Sequence, residues 1–200
     1  MTTERARLLA LLAQKSFRLG DFKLSSGATS DYYIDCRTTT LDAVGSRLTG
    51  LVFLEELRAQ SWNVQAVGGL TMGADPITVA ISVLSDGGLH GFLVRKAEKT
   101  HGTGKRIEGF CEEGARVALV EDVCTTGAST IQAIEAAKQA GLHVAGVICL
   151  VEREEAGGRI HVEDAAFPAP FVSIFTANDI RAEHLRQRDL AEGARERLLI

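Results

Sequence analysis

Apolar residues recur along the chain in two rhythms, and the alternation between them predicts the fold. Residues 4–16 carry leucines at positions 8, 9, 11 and 12, and residues 42–59 set Val44, Leu48, Leu51, Val52, Leu54 and Leu57 on one helical face. Between these two helices the pattern is not helical: Phe22–Leu24 and Tyr32–Asp35 read as short strands joined by Ser25-Ser26-Gly27. From residue 64 onward, short apolar runs alternate with helical stretches. The runs are Val64–Val67, Gly91–Val94, Val117–Val120, Val144–Val151 and Phe171–Phe175. The helices are Pro76–Leu84, with proline in its first turn, 128–140, which Gly141 ends, and Asn178–Arg188. Residues 68–73 and 95–110 are predicted as loops. Fully apolar strands separated by helices predict an α/β protein with a doubly wound, mostly parallel sheet. No repeat or linker divides the sequence, so 1–200 is expected to form a single domain with a small subdomain at about 17–37.

Composition narrows the partners. A hydrophobic share of 46% over 200 residues supports a sizeable core. A net charge of −4 argues against a nucleic-acid footprint. The apolar stretch Leu8–Ala13 is too short for an export signal and ends in Gln14-Lys15, and Val144–Val151 is far short of a membrane span. Cys36, Cys111, Cys124 and Cys149 form no C-x-x-C pair and no metal-ligand spacing. Cys124, near a helix N-terminus, is the one candidate for an acidified thiol, although a loop spacer needs no such role. The expectation is a cytoplasmic protein with neither membrane nor nucleic acid as partner.

The chemistry concentrates in residues 117–130, Val-Ala-Leu-Val-Glu-Asp-Val-Cys-Thr-Thr-Gly-Ala-Ser-Thr. An apolar strand runs into two acids, then into a loop of small and hydroxyl residues, then into a helix. Such a loop offers backbone N–H groups and the positive end of a helix to a phosphate. Neither common phosphate signature, G-x-x-x-x-G-K-[ST] or G-x-G-x-x-G, occurs. Carboxylates beside a phosphate repel it unless they serve ribose hydroxyls or a bridging divalent metal, so Glu121 and Asp122 beside Thr125–Thr130 suit a sugar phosphate. A strand ending in surface acids before a capped helix would give the same letters. Two further loops follow strands. Gly68–Pro76 is glycine-rich enough for close backbone approach to a pyrophosphate. Residues 95–106 hold five Lys/Arg and one His, and a flexible basic loop of this kind can close over a polyanion. An RNA-binding loop is the rival reading, but no aromatics interleave to stack bases. Arg153 follows the strand next after the acid pair, where a guanidinium can grip a planar carboxylate; a surface ion pair with Glu152 or Glu154 is the alternative.

Arg95-Lys96-x-x-Lys99-x-His101-Gly102, Glu121-Asp122-Val123-x-Thr125-x-Gly127 and Ser26-Gly27 followed by Ser30-x-Tyr32-Tyr33-x-Asp35 resemble the orotate phosphoribosyltransferases, a branch of the type I phosphoribosyltransferases. The resemblance spans residues 17 to 155. It implies the type I fold with an N-terminal hood at 17–37, and transfer of ribose 5-phosphate from phosphoribosyl pyrophosphate (PRPP) to N1 of orotate. It implies that Arg95, Lys96, Lys99 and His101 belong to a mobile catalytic loop that reaches the neighbouring subunit of a homodimer. It assigns Glu121, Asp122, Val123, Cys124, Thr125, Thr126, Gly127, Ala128 and Ser129 to PRPP, with Lys99 and Asp122 as the catalytic pair. Thr125 and Arg153 are assigned to orotate. Mg2+ is implied as cofactor, held through PRPP and water rather than directly by protein. Two features depart from the pattern: Ser25 stands where some members have a hood lysine, with Lys23 nearby, and Thr71-Met72 replaces an aromatic-lysine pair. A PRPP-sensing regulator without catalysis, or a phosphoribosyltransferase for another base, are the alternatives.

Overall fold

The computed structural model describes residues 1–23, 29–97 and 106–197. Helix α1 (Thr3–Lys15) leads into strands β1 (Phe17–Lys23) and β2 (Thr29–Ile34), which pair antiparallel as a two-stranded sheet of their own. A short helix α2 (Arg37–Thr40) precedes α3 (Ala43–Gln60), which starts where Asp42 accepts the Val44 and Gly45 amides at 3.0 and 2.9 Å. Then come β3 (Ala66–Leu70), α4 (Ala74–Leu84), β4 (His90–Val94), β5 (Ile107–Gly109), β6 (Arg116–Cys124), α5 (Ala128–Gln139) and β7 (His143–Glu152). A 3-10 turn at Glu154–Ala156, α6 (Gly158–Ala166), β8 (Phe171–Thr176) and α7 (Ala177–Arg197) complete the chain.

The main sheet has six strands in the order β5-β4-β3-β6-β7-β8, parallel except for β5. Successive residues of β6 divide between two cores, as strand pleating requires. Ala118 and Val120 join Leu8, Phe53, Ile77 and Ile180 from α1, α3, α4 and α7. Val117 and Leu119 join Ala133, Ile134 and Val162 from α5 and α6. Each large side chain so buried contributes about 1.5–3 kcal/mol, which is why the central strands read as unbroken apolar runs. The β1–β2 hairpin is fastened to the first core by Phe17, which stacks on Tyr32 with ring centroids 5.4 Å apart.

Several boundaries differ from the sequence reading. The β6 strand does not stop at Val120: its ladder with β7 continues through Glu121↔Cys149 to Cys124↔Glu152, so both acids lie within the strand. Gly68 and Gly69 belong to β3 rather than to a loop. A methyl on Gly68 would stand 2.3 Å from the Phe92 carbonyl oxygen, so glycine here lets neighbouring strands pack, and the turn begins only at Thr71. The predicted loop 95–110 ends in β5, and α2, the 3-10 turn and α6 have no counterpart in the reading. The Ser25-Ser26-Gly27 link lies outside the described residues.

Candidate active site

Chain order reverses between β3 and β6: from β3 the path moves to β4, and from β6 it moves the opposite way to β7 and β8. Crevices at the carboxyl ends of strands flanking such a reversal are where open α/β sheets bind ligands. A cavity of about 310 Å³ opens there, and its walls include Thr71, Gly73, Glu121, Asp122, Thr125 and Arg153.

Glu121 and Asp122 are consecutive on β6 and turn to opposite faces. Glu121 is 4% exposed and points toward α5, where its Oε2 accepts the Thr130 hydroxyl at 3.0 Å. Burial, and then the charge of Asp122, push its carboxyl well above the usual range. Asp122 is half-buried, and its Oδ1 accepts the Val123 amide at 2.9 Å. A methyl on Gly73 would lie 2.3 Å from that oxygen, so the Thr71–Gly73 turn passes directly over the carboxylate and glycine alone leaves room.

Beyond the acids, Thr125 and Ser129 line the cavity and Thr126 is exposed. Gly127 adopts φ +80° as the residue before α5, a left-handed conformation that suits glycine. Ala128 and Ser129 then present first-turn N–H groups that have no intrahelical acceptor. The cup is braced from behind by α6: a methyl on Gly127 would meet Val162 Cγ2 at 2.7 Å, and one on Gly158 would meet the Thr125 carbonyl oxygen at 2.2 Å. Cys124 faces the other way. Its side chain is buried, its amide donates to Cys149 Sγ at 3.2 Å, and burial pushes its thiol up to about 11, the opposite direction from the acidified thiol its sequence position suggested.

Arg153 sits directly after β7, with its amide donating to the Cys124 carbonyl at 2.9 Å, so it lies beside the cup as its sequence position implied. Its guanidinium is nearly buried over the Tyr32 ring, 4.4 Å from the centroid. Nε donates to the Tyr32 hydroxyl at 2.9 Å and to Glu155 Oε1 at 3.1 Å, and Nη2 donates to Ser30 Oγ at 3.1 Å. Tyr32 in turn donates to Glu155; burial and that carboxylate push its hydroxyl up to about 12. The sequence suggested Glu152 or Glu154 as ion-pair partners, but Glu152 pairs with Arg159.

Of the basic loop, Lys96 lines the cavity while Arg95 turns to Glu108 on β5 at 3.3 Å. Lys99 and His101 lie outside the described residues. Sequence reasoning overlooked Arg37, which also lines the cavity. Its Nε and Nη2 hold Asp35 at 2.8 and 2.9 Å, and its amide donates to Asp35 Oδ1 at 3.1 Å. The D-x-R spacing was the available signal, but only the hairpin's return brings it to the site.

No protein-family model matches the chain. Among curated proteins it is 41% identical over 183 residues to the orotate phosphoribosyltransferase of Aquifex aeolicus, covering 88% of this chain and 97% of that one. It is 44% identical over 187 residues to the orotate phosphoribosyltransferase of Thermosynechococcus vestitus, covering 89% and 93%. Among solved structures it resembles the Mycobacterium tuberculosis orotate phosphoribosyltransferase in complex with PRPP, at a TM-score of 0.74 and 34% identity, covering 88% of this chain and 98% of that one.

Proposed function

The chain belongs to the orotate phosphoribosyltransferase family, and from that premise we propose that its cavity transfers the 5-phosphoribosyl group of PRPP to N1 of orotate in pyrimidine biosynthesis. The observation that carries this reading is the adjacency of the Glu121-Asp122 pair to the N-terminus of α5 at the sheet's reversal point. The acids take the ribose hydroxyls, and the Thr125–Ser129 stretch takes the 5′-phosphate. Arg153 takes the orotate carboxylate through Nη1, for which no hydrogen bond is found among the described residues while Tyr32, Glu155 and Ser30 hold Nε and Nη2, with Thr125 beside it. Orotate N1 gives up its proton to water or to the departing pyrophosphate, the N1–C1′ bond forms as the C1′–O bond breaks, and pyrophosphate departs with the bonding pair. Positive charge grows on the ribose, as in glycoside chemistry. The chain's contribution is then to align the two substrates and to neutralise the leaving group. Lys96, together with Lys99 and His101 of the basic loop, serves the second task.

Magnesium fits the donors present, because it keeps several waters and binds phosphate oxygens, and Asp122, a half-exposed carboxylate at the cavity wall, would accept from those waters rather than hold the ion directly. Bound there, it would screen the diphosphate charge. A homodimer, with the 95–106 loop reaching the partner's cavity, is supported by one observation. Leu41, Val44, Met72, Val79 and Val83 on α2–α4 and the adjoining turn are 53–73% exposed, an apolar surface that suits association. A cytoplasmic setting is supported by Cys36, Cys124 and Cys149, which are buried as free thiols. No described helix is long and apolar enough to cross a membrane. The test is PRPP-dependent loss of orotate absorbance, with uracil and hypoxanthine in its place as controls. Consumption of either control at the orotate rate would overturn the assignment.

A further inference from the structure

Three carboxylates and three cations face the cavity among the described residues: Asp35, Glu121 and Asp122 against Arg37, Lys96 and Arg153. Any polyanion that enters must therefore find the cations that remain able to bind. Arg153 is tied to Tyr32, Glu155 and Ser30, and it shares a second hollow with Thr125 and Thr126 on the cup side. Arg37 lies at the opposite end. It shares a different hollow with Thr40, Leu41, Met72 and Asp75, next to the turn that crosses over Asp122. A ligand anchored by one phosphate on α5 and by ribose hydroxyls on the acids thus extends its other end toward Thr71–Gly73 and Arg37. The Arg37 fork is fixed in aim, because Nε, Nη2 and the backbone amide all close on Asp35. That leaves Nη1, for which no hydrogen bond is found among the described residues, to donate into the cavity.

We infer that Arg37, oriented by Asp35, is a contact residue for the diphosphate of PRPP and for the pyrophosphate product. The inference rests on the phosphoribosyl-transfer reading. The Thr71–Gly73 turn brings backbone but no cation to this end of the cavity, so Arg37 joins Lys96 among the described side chains that supply charge there. One charge-assisted hydrogen bond at a partly exposed site corresponds to a change on the order of 10- to 100-fold in affinity.

The experiment is calorimetric titration of the wild type and of Arg37→Gln with two probes, pyrophosphate plus Mg2+ and ribose 5-phosphate, alongside steady-state kinetics. Arg37→Gln is expected to weaken pyrophosphate on the order of 10- to 100-fold and to raise the KM for PRPP, while ribose 5-phosphate binds as before and the KM for orotate holds. Arg37→Lys, which keeps the charge and loses the fork, is expected to fall between the two. Unchanged pyrophosphate affinity in Arg37→Gln overturns the inference. Equal weakening of both probes also overturns it, because that pattern marks a role in folding the site rather than in contacting the diphosphate. A wild type that binds neither probe would instead remove the phosphoribosyl reading itself.

Discussion

Gly158→Ala tests whether α6 sets the shape of the phosphate cup. The added methyl would stand 2.2 Å from the Thr125 carbonyl oxygen and 2.8 Å from the Gly127 amide nitrogen. A carbon beside a carbonyl oxygen needs roughly 3.3 Å, so one backbone must retreat by about 1 Å. Both obstructing atoms are main chain, and no rotamer change relieves them. Overpacking of this kind costs about 1–3 kcal/mol, or about 2–12 °C in melting temperature for a chain of this size. If the cup is the part that yields, the 5′-phosphate loses its register with the acids, and a displacement of about 1 Å costs on the order of 100-fold in turnover. The assay is thermal melting together with kcat and KM for each substrate, and the expected pattern is a loss in kcat/KM for PRPP well beyond what destabilisation explains. A lower melting temperature with unchanged PRPP kinetics would show that α6 gives way instead, and the brace would have no functional meaning.

Arg153→Ala is expected to raise the KM for orotate on the order of 10- to 100-fold while that for PRPP changes little; equal shifts in both would detach Arg153 from the orotate carboxylate. Glu121 gives a pH signature. Its folded carboxyl is raised above the ordinary 4.5, so the unfolded chain ionises first; the stability cost is absent below about that pH, grows as pH rises, and is full once the folded group has titrated. Glu121→Gln should therefore gain melting temperature over the wild type between pH 4 and pH 8 while losing activity, and parallel pH–melting curves would contradict this. Lys99→Ala is expected to lower turnover by about 100- to 1000-fold. Mixed in equal amounts with Asp122→Asn, it should recover roughly a quarter of the wild-type rate, because random pairing leaves one intact site in each hybrid dimer. Hybrids that form without any recovery would place the loop in its own subunit's site.

The central strands were legible because both of their faces are buried, which leaves unbroken apolar runs, and the α5 cup was legible because loop and helix are contiguous in sequence. Acids hid the true end of β6: Glu121 and Asp122 look like a strand terminus, but backbone pairing with β7 does not depend on side-chain polarity. Glycine misled in the same way at Gly68 and Gly69, where close strand packing rather than a turn requires it. The α6 helix escaped notice because Gly157-Gly158 reads as loop, and the contact that gives Gly158 its meaning comes from Thr125, far away in sequence. Arg37 and Glu155 were overlooked for the same physical reason. Arg37 acts through a cavity whose other walls come from distant strands, and Glu155 through Tyr32, which only the returned hairpin brings to it.

The ladder that carries β6 through both acids to Cys124 has a consequence for selectivity. The groups proposed to grip the ribose and those proposed to grip its phosphate lie on one unbroken stretch of chain, held against β7 on one side and braced by Gly158 behind. Such a stretch works as a gauge. The gap between hydroxyls and phosphate is measured in covalent bonds of the protein itself, not in the packing of separate parts that could slide to accommodate an error. A sugar phosphate one methylene longer would engage one end of the gauge or the other, never both, and would be turned away by length before its chemistry was tried.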